Sequence, residues 1–242
     1  MNHDEQALVF GAGARLVGIY TPARAPAQGQ AVVLANSGIV HRVGAGRVTV
    51  TLARRLAQAG IASLRFDMSG LGDSVDYGSE GGGWETSAPR EISEAVGLLR
   101  LLSGVHDIVL YGNCGGAAKC FWAACADPRV TGLAFTNPPP HPAEFEGDRM
   151  VATAAGEETT VQLVRLFDRG LSALFIYADG DEGLSYFERR LQSRLAPVIE
   201  AGRLQVRRVP HSNHTFALQP AQEHMMALIL DWLIHRIEGE GH

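Results

Sequence analysis

Short apolar runs alternate along this chain with stretches whose apolar residues recur at helical spacing. Ala31–Ala35, Ile61–Phe66, Ile108–Tyr111, Leu133–Thr136, Leu174–Ala178 and Leu204–Val209 predict strands. Most of them are continuously apolar, as strands buried on both faces are. Leu8–Phe10 and Arg15–Tyr20, separated by Gly11-Ala12-Gly13, predict an antiparallel hairpin at one edge of the sheet. Between the strands, Val48, Leu52, Leu56 and Ala59 share a helical face, as do Ile92, Ala95, Val96, Leu99 and Leu102, and later Met225, Leu228, Ile229 and Trp232. Ala117 to Ala126 is apolar on nearly every side, which predicts a helix buried in the interior. This βαβα order predicts an α/β fold: a mostly parallel central sheet with helices on both faces.

Two segments interrupt the alternation. Pro138-Pro139-Pro140-His141-Pro142 suits neither a helix nor an inner strand, and the helical-looking stretch Ala143–Gly170 follows it. We read 138–170 as a small lid on a single domain spanning 1–242. Gly78-Ser79-Glu80-Gly81-Gly82-Gly83 predicts a mobile loop, because so many glycines raise the entropy lost on ordering it.

At 242 residues the chain can bury a sizeable core without disulfides or metals. Its net charge of −5 is spread along the sequence with no Lys/Arg-rich block, which argues against nucleic-acid or anionic-membrane partners. A small molecule or another protein is the expected partner. The cysteines, Cys114, Cys120 and Cys125, crowd into one predicted turn and helix, unlike a disulfide framework or paired zinc hooks, and imply a reducing cytoplasm. Met1-Asn2-His3-Asp4-Glu5 lacks the basic and apolar regions of a signal peptide, and no stretch reaches the length of a membrane span.

Gly112-Asn113-Cys114-Gly115-Gly116 carries the chemistry. It joins a predicted strand to a predicted buried helix, which is the sequence form of a nucleophile elbow with cysteine at its centre. Such a turn strains its central residue and needs tiny neighbours where strand and helix pass closely, and Gly112 and Gly116 supply them. We read Cys114 as the nucleophile and the Gly115 N–H as an oxyanion donor. The competing reading is a buried structural cysteine beside a flexible turn. Cys120 and Cys125 are read as packing residues.

A thiol nucleophile needs a base, and the base needs a third group to fix its tautomer. Partners in an open parallel sheet gather beyond the carboxyl ends of strands. Asp179-Gly180-Asp181-Glu182 follows one predicted strand, and Pro210-His211-Ser212-Asn213-His214 follows another. The order nucleophile, acid, histidine matches the elbow motif. Asp181 is preferred to Asp179 for its reach into the loop, and His214, nearer the loop tip, to His211. A metal shared by His211 and His214 lacks a third clustered ligand, so neither metal nor cofactor is expected.

The second oxyanion donor is expected from the loop after the Ala31–Ala35 strand, at the amide of Ile39, which is preferred to that of Gly38. In the same loop, His41 and Arg42 either fix its conformation or, for Arg42, bind an anionic part of a substrate through the planar guanidinium.

With the elbow, Asp67-Met68-Ser69-Gly70-Leu71-Gly72-Asp73-Ser74 is similar to the D-x-x-G-x-G-x-S turn of the α/β-hydrolase superfamily. The resemblance extends over nearly the whole chain. Asn36-Ser37-Gly38-Ile39-Val40-His41-Arg42-Val43-Gly44, the elbow, Asp181-Glu182-Gly183 and His214-Thr215-Phe216 resemble the small hydrolases associated with exosortase systems and their relatives near biosynthetic gene clusters. Dienelactone hydrolases, with a cysteine elbow, are similar more distantly. The resemblance implies the α/β-hydrolase fold and Cys114, Asp181 and His214 as the triad.

The expected activity is that of a Cys-His-Asp thioesterase, esterase or acyltransferase acting through an acyl-cysteine. Its substrate is a small-molecule ester or thioester, free or borne by a carrier protein or coenzyme A. Two rivals remain: a lyase that expels a carboxylate with the same thiol and histidine, and a non-catalytic binding module on the same fold.

Overall fold

The computed structural model describes residues 4–76, 84–139, 145–146, 149–150 and 155–238. An eight-stranded sheet carries the strand order β1-β2-β4-β3-β5-β6-β9-β10. At one edge lies the expected hairpin of β1 (Gln6–Phe10) and β2 (Leu16–Thr21), with Phe10 opposite Leu16. β2 runs antiparallel to β4 (Ala62–Asp67). From β4 onward, β3 (Gln30–Leu34), β5 (Asp107–Asn113), β6 (Val130–Thr136), β9 (Ser172–Ala178) and β10 (Leu204–Val209) pair in parallel. All six strands predicted from apolar runs are present, β10 as the edge opposite the hairpin.

Period-two alternation divides the core into two layers. Val32, Leu34, Val109 and Tyr111 face one side, where α1 (Val48–Gln58) and α7 (Gln219–Glu238) cover them with Leu52, Leu56, Met225, Ile229 and Trp232. Ala31, Val33, Ile108 and Leu110 face the other side and meet α2 (Trp84–Ser103), α3 (Gly115–Ala126) and α4 (Ala155–Asp168) through residues such as Ile92, Phe121 and Phe167. The continuous apolar runs of the sequence therefore reflect burial on both faces.

Some elements depart from the sequence reading. β7 (Phe145–Glu146) and β8 (Arg149–Met150) form a small antiparallel pair where a helix was expected. Strands of two residues are too short to show any period. α4 fulfils the helical expectation farther along, while much of the proposed lid at 138–170, including His141, lies outside the described residues, as does Gly78–Gly83. After β9, α5 (Glu182–Tyr186) continues into a π turn at Phe187–Leu191, and α6 (Ala196–Glu200) precedes β10. Among the described residues no helix is long and apolar enough to cross a membrane.

Candidate active site

Cys114 stands between β5 and α3 with φ 49° and ψ −122°, a conformation an L-residue adopts only under constraint. The constraint is the closeness of strand and helix. A Cβ on Gly112 would lie 2.5 Å from the Gly116 carbonyl carbon, and one on Gly116 would lie 2.6 Å from the Asn36 carbonyl oxygen. The elbow is pinned by the Cys114 amide, which donates to the Thr136 carbonyl at 3.0 Å. Thr136 Oγ1 donates to Asn113 Oδ1 at 2.9 Å, and Asn113 Nδ2 donates to Ser37 Oγ at 3.4 Å.

His214 and Asp181 complete a line behind the thiol. His214 Nδ1 lies 2.6 Å from Asp181 Oδ2, and His214 also hydrogen-bonds the Cys114 side chain. Asp181 is 6% exposed and caps α5, its Oδ1 accepting the Gly183 amide at 2.9 Å. That leaves Oδ2 to fix the imidazole. The His214 hydrogen bond is the largest influence holding the Cys114 thiol below the ordinary range, against burial that pushes it up. The bond to Asp181, followed by that to Cys114, pushes His214 up to about 10. Both directions favour moving the Cys114 proton toward His214, with the Asp181 carboxylate steadying the charge that results.

The alternatives in the sequence separate cleanly. Asp179 Oδ2 accepts the backbone amide of His211 at 2.8 Å, so this pair ties the ends of β9 and β10 together. Asp181 and His214 turn toward Cys114. Phe216, with φ 49° and nearly full burial, anchors the histidine loop in the core.

On the oxyanion side, the Gly115 amide hydrogen-bonds the Cys114 sulfur. Around the point where a Gly115 Cβ would stand, the nearest atom of the 36–42 loop is the Gly38 nitrogen at 3.6 Å, and no Ile39 atom comes within 4 Å. Ile39 is 89% exposed. Lys119 Nζ, on α3, donates to the Gly38 carbonyl at 3.4 Å. Of the two amides weighed from sequence, that of Gly38 sits beside Gly115.

Arg42 borders the site with its guanidinium already engaged, hydrogen-bonded to Asp67 and to Asp73. Asp67 is buried and also accepts the Arg42 amide at 2.6 Å and Asn36 Nδ2 at 3.3 Å. Ser74 Oγ donates to the Asp67 carbonyl at 2.6 Å. The Asp67–Ser74 turn therefore holds the 36–42 loop in place. A cavity of ≈ 240 Å³ opens between this loop, α1 and the Cys114–His214 pair, with Val40, Val48 and Tyr111 in its wall.

One residue of the site escaped the sequence reading. Asn137, buried and with φ 44°, donates from Nδ2 to the His214 carbonyl at 2.7 Å and accepts the Ala178 amide on Oδ1 at 2.7 Å. The only signal for it was an asparagine, a residue that tolerates positive φ, directly after an apolar strand. No group of three or more His, Cys, Asp or Glu among the described residues is arranged to hold a metal ion.

No protein-family model matches the chain, and no curated protein matches it. Solved structures do. An esterase domain from a Rhodothermus marinus protein superimposes with a TM-score of 0.66 at 15% identity, covering 97% of this chain and 99% of that one. A cold-adapted esterase from an Arctic intertidal metagenomic library gives 0.62 at 20% identity, over 96% and 92% of the two chains. An α/β serine hydrolase without lid from Xanthomonas campestris gives 0.62 at 16% identity, over 98% and 94%. At these identities the likeness concerns architecture, and with the strand order and the elbow it establishes that this chain has the α/β-hydrolase fold.

Proposed function

We propose that this protein is a hydrolase or acyltransferase that acts on an ester or thioester through an acyl-Cys114 intermediate. The observation that carries the reading is the unbroken line of hydrogen bonds from Cys114 through His214 to the buried carboxylate of Asp181. The esterases among the structural neighbours support the ester substrate, while the thiol comes from this chain's own elbow.

In the first half-reaction the Cys114 thiolate adds to the carbonyl carbon, and the amides of Gly115 and Gly38 stabilise the oxyanion. Collapse breaks the bond to the leaving alcohol or thiol, which takes the proton held by His214. In the second, His214 removes a proton from water or another acceptor, which attacks the acyl carbon and releases Cys114. Asp181 keeps the imidazole oriented and balances its charge throughout. A thioester on a carrier protein or coenzyme A is a fitting acyl donor, since exchange between two thioesters conserves the bond type.

Intact-protein mass spectrometry of wild type and Cys114→Ala, after rapid mixing with activated esters and acyl thioesters, tests the proposal. The expected result is an acyl mass increase confined to wild type that decays with time or acceptor. Turnover without an adduct under rapid quenching overturns it in favour of elimination.

A further inference from the structure

The cavity beside Cys114 defines what the acyl group can be. Two features of its wall bear on this. Its volume of ≈ 240 Å³ falls below the roughly 300–1,000 Å³ of pockets that bury drug-sized ligands. Its exposed surface is mostly apolar, with Leu34, Val40, Val48 and Tyr111 in the wall, although Ser37, Thr49, Asn113 and Thr215 also line it.

The second feature is electrostatic. Arg42 lines the cavity, yet its guanidinium is shared between Asp67 and Asp73, two carboxylates against one cation. The fork that would grip a carboxylate or phosphate is occupied, and the cluster has a formal excess of negative charge. An anionic group entering here meets no uncommitted partner in Arg42 and is repelled by the cluster. The remaining basic residues on the wall are His41, whose Nδ1 accepts the Val43 amide, and His214, which is committed to Asp181 and Cys114.

The direction of the substrate follows from exposure. The His214 side chain is 49% exposed, so a leaving group that takes its proton has an open route to solvent. The enclosed space under the 36–45 loop is left for the acyl part. A further apolar void of ≈ 40 Å³, lined by Ala117, Ala118 and Phe121 of α3, does not include Cys114 in its wall.

Resting on the acyl-cysteine reading above, we infer that the Val40–Val48 cavity is an acyl pocket for a short, uncharged acyl chain, and that Arg42 anchors the loop instead of binding substrate. Val48 and Ala45 both line the pocket, so a change of side-chain size at either position alters the space left for the acyl chain.

The test uses p-nitrophenyl acetate, butyrate, hexanoate and decanoate, together with mono-p-nitrophenyl adipate, whose six-carbon acyl chain ends in a carboxylate. Wild-type kcat/KM is expected to be highest among the shorter chains and to fall about tenfold or more at decanoate, the scale on which apolar pockets discriminate chain length. Hexanoate is expected to exceed adipate by about tenfold or more, as for an unpaired charge entering an apolar pocket. Ala45→Trp shifts the optimum to shorter chains, and Val48→Ala to longer ones. A parallel series of butyrate esters with lengthening alcohols is expected to respond little to either substitution. Preference for adipate or decanoate, or a response confined to the alcohol series, overturns the pocket assignment while acyl-Cys114 still forms. Absence of the acyl adduct with every ester overturns the underlying reading instead. Circular dichroism and iodoacetamide labelling of Cys114 show that each variant is folded.

Discussion

Asn137 Nδ2 donates to the backbone carbonyl of His214 at 2.7 Å, while its Oδ1 accepts the amide of Ala178 at the end of β9. One buried side chain thus joins the loop that bears the histidine to the strand that delivers Asp181. Its own amide donates to the Ile176 carbonyl at 2.8 Å, which fixes the residue from the third side.

Asn137→Gly keeps the positive φ available and removes the clamp. We expect kcat to fall by up to about 10²-fold with KM little changed, because small misplacements of a catalytic group have effects of that size. Stability is expected to drop by about 1–3 kcal/mol, as when a buried hydrogen-bond partner is deleted. The deciding readout is the pH profile of Cys114 alkylation by iodoacetamide. It should move toward that of an ordinary thiol as His214 drifts away. A loss of stability with an unchanged profile would reduce Asn137 to a packing residue.

Alkylation also reads the ion pair directly. Cys114 titrates below the ordinary range because of the His214 hydrogen bond, whereas burial pushes Cys125 up to about 11 and raises Cys120 as well. Near neutral pH, iodoacetamide should therefore modify Cys114 first, as mapped by peptide mass spectrometry. His214, pushed up to about 10, keeps its proton over this range, so the thiolate reactivity should persist up to that pH. In His214→Ala the partner is gone and burial remains, which raises the thiol. Its modification at pH 7 should slow by about tenfold for each unit of that rise.

The elbow glycines differ in what they tolerate. Gly112→Ala or Gly116→Ala would place a methyl 2.5 or 2.6 Å from backbone atoms, which have no flexible end to give way. Overpacking of this kind destabilises by about 1–3 kcal/mol, measurable as a lower urea midpoint. Gly115→Ala meets only Gly38, its nitrogen at 3.6 Å and its Cα at 3.9 Å, both ordinary contacts. Its urea midpoint should stay close to that of wild type, since Gly115 is the first residue of α3, where the added methyl meets only ordinary contacts. A midpoint for Gly115→Ala as low as for its neighbours would contradict this account of the turn.

The same physics explains what could be read before the structure. The elbow was legible because its demands are local: positive φ at Cys114 and no room for Cβ at Gly112 and Gly116. The strands near the elbow followed from continuous apolar runs, whereas their order in the sheet did not. Asp179 and Asp181 were not separable by spacing, because two carboxylates in one loop differ only in direction, and direction depends on the α5 cap at Asp181 and on the His211 amide. The partners of Arg42 lie 25 and 31 residues away, beyond any local pattern. Asn137 was silent for a related reason: its three bonds all reach other strands and loops. The short β7 and β8 pair and α6 carry too few residues for periodicity to reveal.

The Arg42–Asp67 pair offers the strictest test of how the oxyanion loop is held. Asp67 is buried and gathers the Arg42 guanidinium, the Arg42 amide, Asn36 Nδ2 and, at 3.3 Å, the Asp73 amide. Gly72 passes so near that a Cβ there would lie 2.2 Å from Asp67 Oδ2, so no larger residue fits either position. Asp67→Ala strands these donors and leaves the Arg42 guanidinium to Asp73 alone, and breaking a buried pair from one side destabilises by up to about 3–5 kcal/mol. Arg42→Met leaves Asp67 with its amide donors and should destabilise less. If the two residues act as one anchor, the double variant will be clearly more stable than the sum of the single losses predicts, by the 0.5–3 kcal/mol typical of coupled neighbours, roughly. Additive losses in guanidinium unfolding would mean that the loop is held elsewhere. Because the anchored loop carries both Gly38 and Val40 of the acyl pocket, the Arg42→Met enzyme should lose kcat and gain KM together, while its preference for uncharged acyl chains survives, since Arg42 does not bind the substrate.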